Sequence, residues 1–212
     1  ELETYTEYEP KSADAFMVLG AAYYNRGDYK TAQENLQQAL KLDSKSSEAH
    51  YWLGQTYMML KEYEKALESF HRAFAYNANS FEAGQAVADA YMGMGQPNNA
   101  YIAVLKVEGL ATTDKKKAVL YASRARALEG INQPDAAYND WRRLVELPAA
   151  SVPKELRAEA EARLTALRSP TPPPASVTAT LPPPGTATRF PTATATPLPP
   201  TRTPRISPTP TP

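Results

Sequence analysis

The 212-residue chain contains no cysteine, which excludes disulfides, thiol catalysis and thiolate metal sites. Histidine is nearly absent too. His50 and His71 stand alone on different predicted helices, without an HExxH spacing, so no metal centre is read and His50 is assigned to packing. No apolar run approaches the roughly 18 residues needed to cross a bilayer. Neither charge sign dominates, with 23 basic and 23 acidic residues, and the concentrated basic face of a nucleic-acid binder is missing. Gly93-Met94-Gly95 lacks the third glycine of a dinucleotide fingerprint, Asn98 standing in its place, and it joins two helices where the fingerprint needs a strand. There is no Gly-x-Ser-x-Gly elbow, P-loop or catalytic Cys-His arrangement. Glu159 and Glu161 are placed on a solvated helix face, where nothing raises a pKa for acid catalysis. The chain is read as non-enzymatic, with no cofactor.

Acidic residues are missing altogether from Ser169 to Pro212, a stretch that holds fifteen of the twenty prolines, twelve threonines and three serines. Arg189, Arg202 and Arg205 give it +3, which leaves −3 for residues 1–168 in a chain of zero net charge. Proline fixes φ and lacks a donor, so helix and central strand are excluded and polyproline II is the regular option left. At about 3.1 Å per residue such a tail extends roughly 135 Å, longer than the helical part. Serine and threonine in a proline-rich setting match the mucin-like composition associated with O-glycosylation. The candidate acceptors are Thr171, Thr178, Thr180, Thr186, Thr188, Thr192, Thr194, Thr196, Thr201, Thr203, Thr209, Thr211, Ser169, Ser176 and Ser207. The alternative is a naked disordered linker.

What is present is a period of 34 residues. Gly20, Tyr23, Ala32 and Ala39 recur as Gly54, Tyr57, Ala66 and Ala73, and partly as Ala88, Tyr91 and Ala100. A looser fourth copy follows a three-residue insertion, with Tyr121, Ala125, Leu128, Ala137, Trp141 and Leu144. Within each copy the apolar spacing is that of two amphipathic helices facing each other across a turn. Small residues at the crossing permit close approach, to about 8 Å. Gly27-Asp28 makes the first turn, Lys61 replaces the turn glycine in the second, and Asn132-Gln133-Pro134 echoes Gly95-Gln96-Pro97.

These residues resemble the tetratricopeptide repeat, a 34-residue helix-turn-helix unit. The resemblance implies an all-α, right-handed superhelical solenoid of antiparallel hairpins, followed here by the non-helical tail. The expected division is an acidic N-terminal arm at 1–12, hairpins at 13–46, 47–80, 81–114 and 118–148, a capping helix at 151–168 with Leu156, Ala160, Leu164 and Leu167 on one face, and the tail at 169–212. The arm is the end of a missing earlier repeat, an extended arm or a disordered leader. The resemblance also implies a concave groove lined by Met17, Tyr24, Tyr51, Gln55, Met58, Met59, Gln85, Asp89 and Met92. Methionine and tyrosine would form an adaptable apolar wall for a peptide; the bland reading is that some only pad helix contacts. Met17 and Ala21 stand where chaperone-binding members carry Lys and Asn, and Arg126 is a lone basic groove residue, so a carboxylate clamp is not expected.

Two functions are drawn from this. One is an extracellular or cell-surface bacterial subunit, its leader removed, that assembles head to tail into a fibre with a glycosylated tail contacting the next copy; a solenoid has unlike ends, and end contacts that do not close make filaments. The other is a cell-envelope adaptor that holds a partner's peptide in the groove, the tail serving as spacer. Neither involves nucleic acid or a membrane span.

Overall fold

The computed structural model describes residues 12–168. The expectations for the acidic arm through residue 11 and for the Pro/Thr-rich tail lie outside the described residues. Among the described residues there are nine α-helices and no strand: α1 (Ala13–Asn25), α2 (Tyr29–Leu42), α3 (Ser47–Met59), α4 (Tyr63–Tyr76), α5 (Phe81–Gly93), α6 (Pro97–Val107), α7 (Asp114–Gly130), α8 (Pro134–Glu146) and α9 (Lys154–Arg168). Short 3-10 turns lie at Glu108–Leu110 and Ala149–Ser151. Each helix packs on the next in sequence, and alternate helices α1, α3, α5 and α7 also touch in order. Contacts confined to neighbouring units are the hallmark of a solenoid.

The first helix of every hairpin starts on a hydroxyl cap. Ser12, Ser46, Ser80 and Thr113 accept from the backbone N–H groups of Ala15, Ala49, Ala83 and Lys116 at 3.3, 3.2, 3.1 and 3.3 Å. Each satisfies one of the amides that a helix start leaves without an intrahelical partner. Thr113 sets α7 beginning at Asp114, ahead of the expected boundary at 118. The residues inserted before the fourth copy form an extra helical turn, making α7 17 residues long where α1, α3 and α5 have 13.

The four intra-hairpin turns share one hydrogen-bond pattern. Asp28 N–H donates to the Tyr23 carbonyl and Gly27 N–H to Tyr24; the pairs Glu62–Tyr57 and Lys61–Met58, Gln96–Tyr91 and Gly95–Met92, Gln133–Leu128 and Asn132–Glu129 repeat it. This is the Schellman arrangement, which needs a left-handed residue just past the helix. Gly27, Lys61, Gly95 and Asn132 occupy that position, with φ of 82°, 60°, 68° and 59°.

The core runs along the hairpin crossings. A Cβ added to Gly20 would stand 2.5 Å from Leu36 Cγ, and one added to Gly54 would stand 2.5 Å from Phe70 Cδ1. At the same register in the later copies the pairs are Ala88 with Val104 and Ala125 with Trp141, all buried. One apolar cluster extends from Leu36 to Ala127. A second joins Trp141 and Leu144 to α9 through Val152, Leu156, Ala160, Leu164 and Leu167. Arg157 fixes the junction, donating to the carbonyls of Val145 at 2.8 Å and Leu147 at 2.7 Å and so satisfying acceptors that the end of α8 leaves open.

Candidate functional site: the concave face

The alternating contacts of α1, α3, α5 and α7 make one continuous inner face. A cavity of about 350 Å³ opens on it between α3, α5 and α7, lined by Tyr51, Gln55, Phe81, Glu82, Gln85, Ala86, Asp89, Lys115, Lys116 and Val119. Of the nine groove residues expected from the sequence, Tyr51, Gln55, Gln85 and Asp89 come together here.

The methionines do not share this cavity. Met17, Met58 and Met92 are half-buried and pack against the core cluster, which is the padding role. Met59 is 49% exposed. Tyr24 sits between the rings of Tyr29 and Trp52, 5.6 Å from each. At the cavity the apolar wall is made by Tyr51, Phe81, Ala86 and Val119 in place of the methionines, with Gln55, Gln85 and Asp89 as its polar groups from the expected set.

Gln85 organises the floor. It is 5% exposed, and its Nε2 donates to Ser123 Oγ across to α7 at 2.6 Å and to Asp89 Oδ1 one turn along α5 at 3.2 Å. Its Oε1 is buried and accepts no hydrogen bond from a described residue. Asp89 is exposed along the groove, yet the protein atoms around it still desolvate its carboxylate. That desolvation pushes its carboxyl above the usual range, opposed by the Gln85 bond and by the charge of Arg126. On the far wall Gln55 Nε2 donates to the Tyr51 hydroxyl at 2.9 Å. Burial pushes that hydroxyl's pKa up, against the Gln55 bond, and the charges of Glu82 and Asp89 push the same way.

Most of the neighbouring charges are matched, although Lys115, which lines the cavity, has no ion-pair partner among the described residues. Lys116 Nζ stands 3.2 Å from Glu82 and lies over the Phe81 ring. Arg126, expected as a lone basic groove residue, is engaged within the fold: its guanidinium grips Glu159 of α9 through Nε at 2.9 Å and Nη2 at 2.5 Å. Glu159 correspondingly leaves the solvated face assigned to it and is only partly exposed. Bonding from Arg126 lowers its carboxyl pKa, outweighing desolvation. Arg163 meets Glu129 at 3.2 Å, and Glu129 accepts from Trp141 Nε1 at 2.6 Å. These pairs tie the inner face of α7 to α9.

Elsewhere the two histidines have separate settings. His50 is buried, with Nε2 3.1 Å from the Ser44 carbonyl and its ring stacked on Tyr76. His71 borders an apolar cavity of about 280 Å³ with Phe74, Tyr91 and Ile102. Among the described residues no group of three His, Cys, Asp or Glu side chains could hold a metal ion, and no helix is long and apolar enough to cross a membrane.

Residues 20–61 match the model described as TPR repeat, and residues 47–80 match the model described as Tetratricopeptide repeat. Residues 20–80 are tetratricopeptide repeats. Beyond them the fold continues the tetratricopeptide pattern. A solved MamA protein is 27% identical with a TM-score of 0.61, over 68% of this chain and 78% of its own. A thermophilic TPR protein of Thermus thermophilus is 16% identical with a TM-score of 0.64, over 77% of this chain and 87% of its own. PilF of Pseudomonas aeruginosa is 18% identical with a TM-score of 0.61, over 73% of this chain and 67% of its own. At their identities the last two speak for the fold alone. No curated protein matches this chain.

Proposed function

We propose that the chain is a non-catalytic protein-interaction module that holds an extended segment of a partner protein on its concave face. The observation that carries this reading is the cavity between α3, α5 and α7, where Tyr51, Gln55, Gln85 and Asp89 converge on the inner surface. A few polar groups placed on a largely preformed concavity are what a binding site needs to fix a ligand's orientation. Peptides selected from an extended random library on the full chain should bind measurably, and Tyr51→Ala should weaken them about tenfold. If the selected peptides bind the variant as tightly as the parent, the concave-face reading fails.

A second reading has support from composition. The Pro/Thr-rich, acid-free tail favours an extracellular or cell-surface protein whose O-glycosylated tail contacts neighbouring copies in a head-to-tail fibre. Electron microscopy of native material tests the assembly, and monodisperse particles would count against it. Unmodified masses for the tail peptides would remove the glycan.

A further inference from the structure

Of the charged residues lining the cavity, Lys116 pairs with Glu82, while Lys115 and Asp89 have no ion-pair partner among the described residues; nearby, Arg126 pairs with Glu159 and Arg163 with Glu129. Asp89 faces the open groove. Its one hydrogen-bond donor is Gln85, a side chain 5% exposed that lines the same cavity and whose own Oε1 stays unpartnered. The floor therefore presents a carboxylate without an ion-pair partner, held in place by the buried Gln85 amide, with Tyr51 on the opposite wall. Arginine is the complementary side chain: its guanidinium carries several donors in a fixed plane, has no acceptor, is weakly hydrated and stacks on aromatic rings.

We propose that Asp89 and Gln85 form a cation subsite of the concave groove that takes an arginine side chain, supplied by the Thr201–Arg205 stretch of a second copy of this chain. The inference rests on the concave-face reading above. The occupant follows from charge complementarity. Residues 169–212 contain no acid and only three charges, all arginine, two of them in Thr201-Arg202-Thr203-Pro204-Arg205. The 32 residues between Arg168 and Thr201 have a contour of at most roughly 110 Å, ample for reaching a neighbouring molecule. Proline fixes φ, so a proline-containing segment has less conformational entropy to lose on entering a groove than one without it.

The test is fluorescence anisotropy of a labelled peptide of residues 198–208. The receptor is the full chain with Arg189→Ala, Arg202→Ala and Arg205→Ala, which removes competition from its own tail. The peptide should bind this receptor. Adding Asp89→Asn to the receptor should weaken binding about tenfold or more, because a charge-assisted bond is replaced by a neutral one. The peptide with both arginines changed to alanine should lose at least as much, a control that cannot disturb the receptor's fold. Equal binding by the Asp89→Asn receptor, or by the arginine-free peptide, overturns the proposal. If Tyr51→Ala abolishes binding while Asp89→Asn leaves it unchanged, the groove reading stands and the cation subsite is lost. If this peptide does not bind at all while library-selected peptides do, the occupant is wrong and the groove survives.

Discussion

Arg124 and Asp140 meet through two parallel hydrogen bonds, Nε to Oδ2 at 2.6 Å and Nη2 to Oδ1 at 2.8 Å, with both side chains less than a tenth exposed. Nη1 adds a bond to Glu108 in the preceding 3-10 turn at 2.7 Å. The Asp140 bonds, ahead of the Glu108 one, raise the guanidinium's pKa further above its already high value. The cluster pins α7 to α8 and to the segment that leads into the lengthened α7. Removing one partner of a buried pair strands the other. Asp140→Ala should therefore cost about 3 kcal/mol in urea unfolding, while Glu108→Ala, whose carboxylate is half exposed, should cost under about 1 kcal/mol. Equal losses would show that the bidentate geometry carries no special weight.

The crossing of α3 and α4 offers a volume test. Gly54→Ala should destabilise by about 1–3 kcal/mol through overlap with the Phe70 ring, and Gly54→Leu by more. Pairing Gly54→Ala with Phe70→Val copies the Ala88–Val104 combination of the third hairpin. The double variant should lose less stability than the two single losses added together, measured as a coupling energy in a double-mutant cycle. Strict additivity would contradict the contact.

Lys61 adopts φ of 60°, where a side chain is strained and glycine is not. Lys61→Gly should raise stability by about 0.5–1 kcal/mol, despite the larger entropy glycine brings to the unfolded chain. Gly27→Ala, at φ of 82°, should lower stability by a similar amount. A thermal melt of each variant reads both signs.

Burial favours the neutral form of both histidines and outweighs, at His50, the opposing bond to Ser44. The folded pKa of each lies below its unfolded value of about 6.5. The unfolded chain then binds more protons, so the stability these rings contribute is present above about pH 6.5 and is lost as pH falls toward the folded values. Melting temperature should fall between pH 7.5 and 5.5. His50→Gln should shrink that fall without removing it, His71 supplying the remainder.

The hairpins were legible from sequence because helix crossing imposes a local, periodic demand: a small residue such as Gly20 or Gly54 must face Leu36 or Phe70 sixteen positions later. The caps Ser12, Ser46 and Ser80 follow the same 34-residue spacing. The polar pairs follow no period. Gln85 and Ser123 lie 38 positions apart, Arg126 and Glu159 lie 33 apart, and each residue taken alone resembles an ordinary solvated helix position. Arg124 did leave one sign, a charge set among Ala122, Ala125 and Ala127, which are all buried. The sequence left open whether the methionines line the groove or pad helix contacts, because the repeat pattern gives a position's face and not how far the core reaches to it; Met17, Met58 and Met92 are partly buried against the core cluster.

A chain of similar units runs the risk of pairing the first helix of one with the second helix of another. The crossings described above differ in how volume is shared: glycine with leucine, glycine with phenylalanine, alanine with valine, alanine with tryptophan. Docking α5 against α8 would force Ala88 onto Trp141 where a valine belongs, and docking α7 against α6 would leave a void beside Ala125. Each hairpin thus carries its own address, and the irregularity of the repeats is what keeps the array in order.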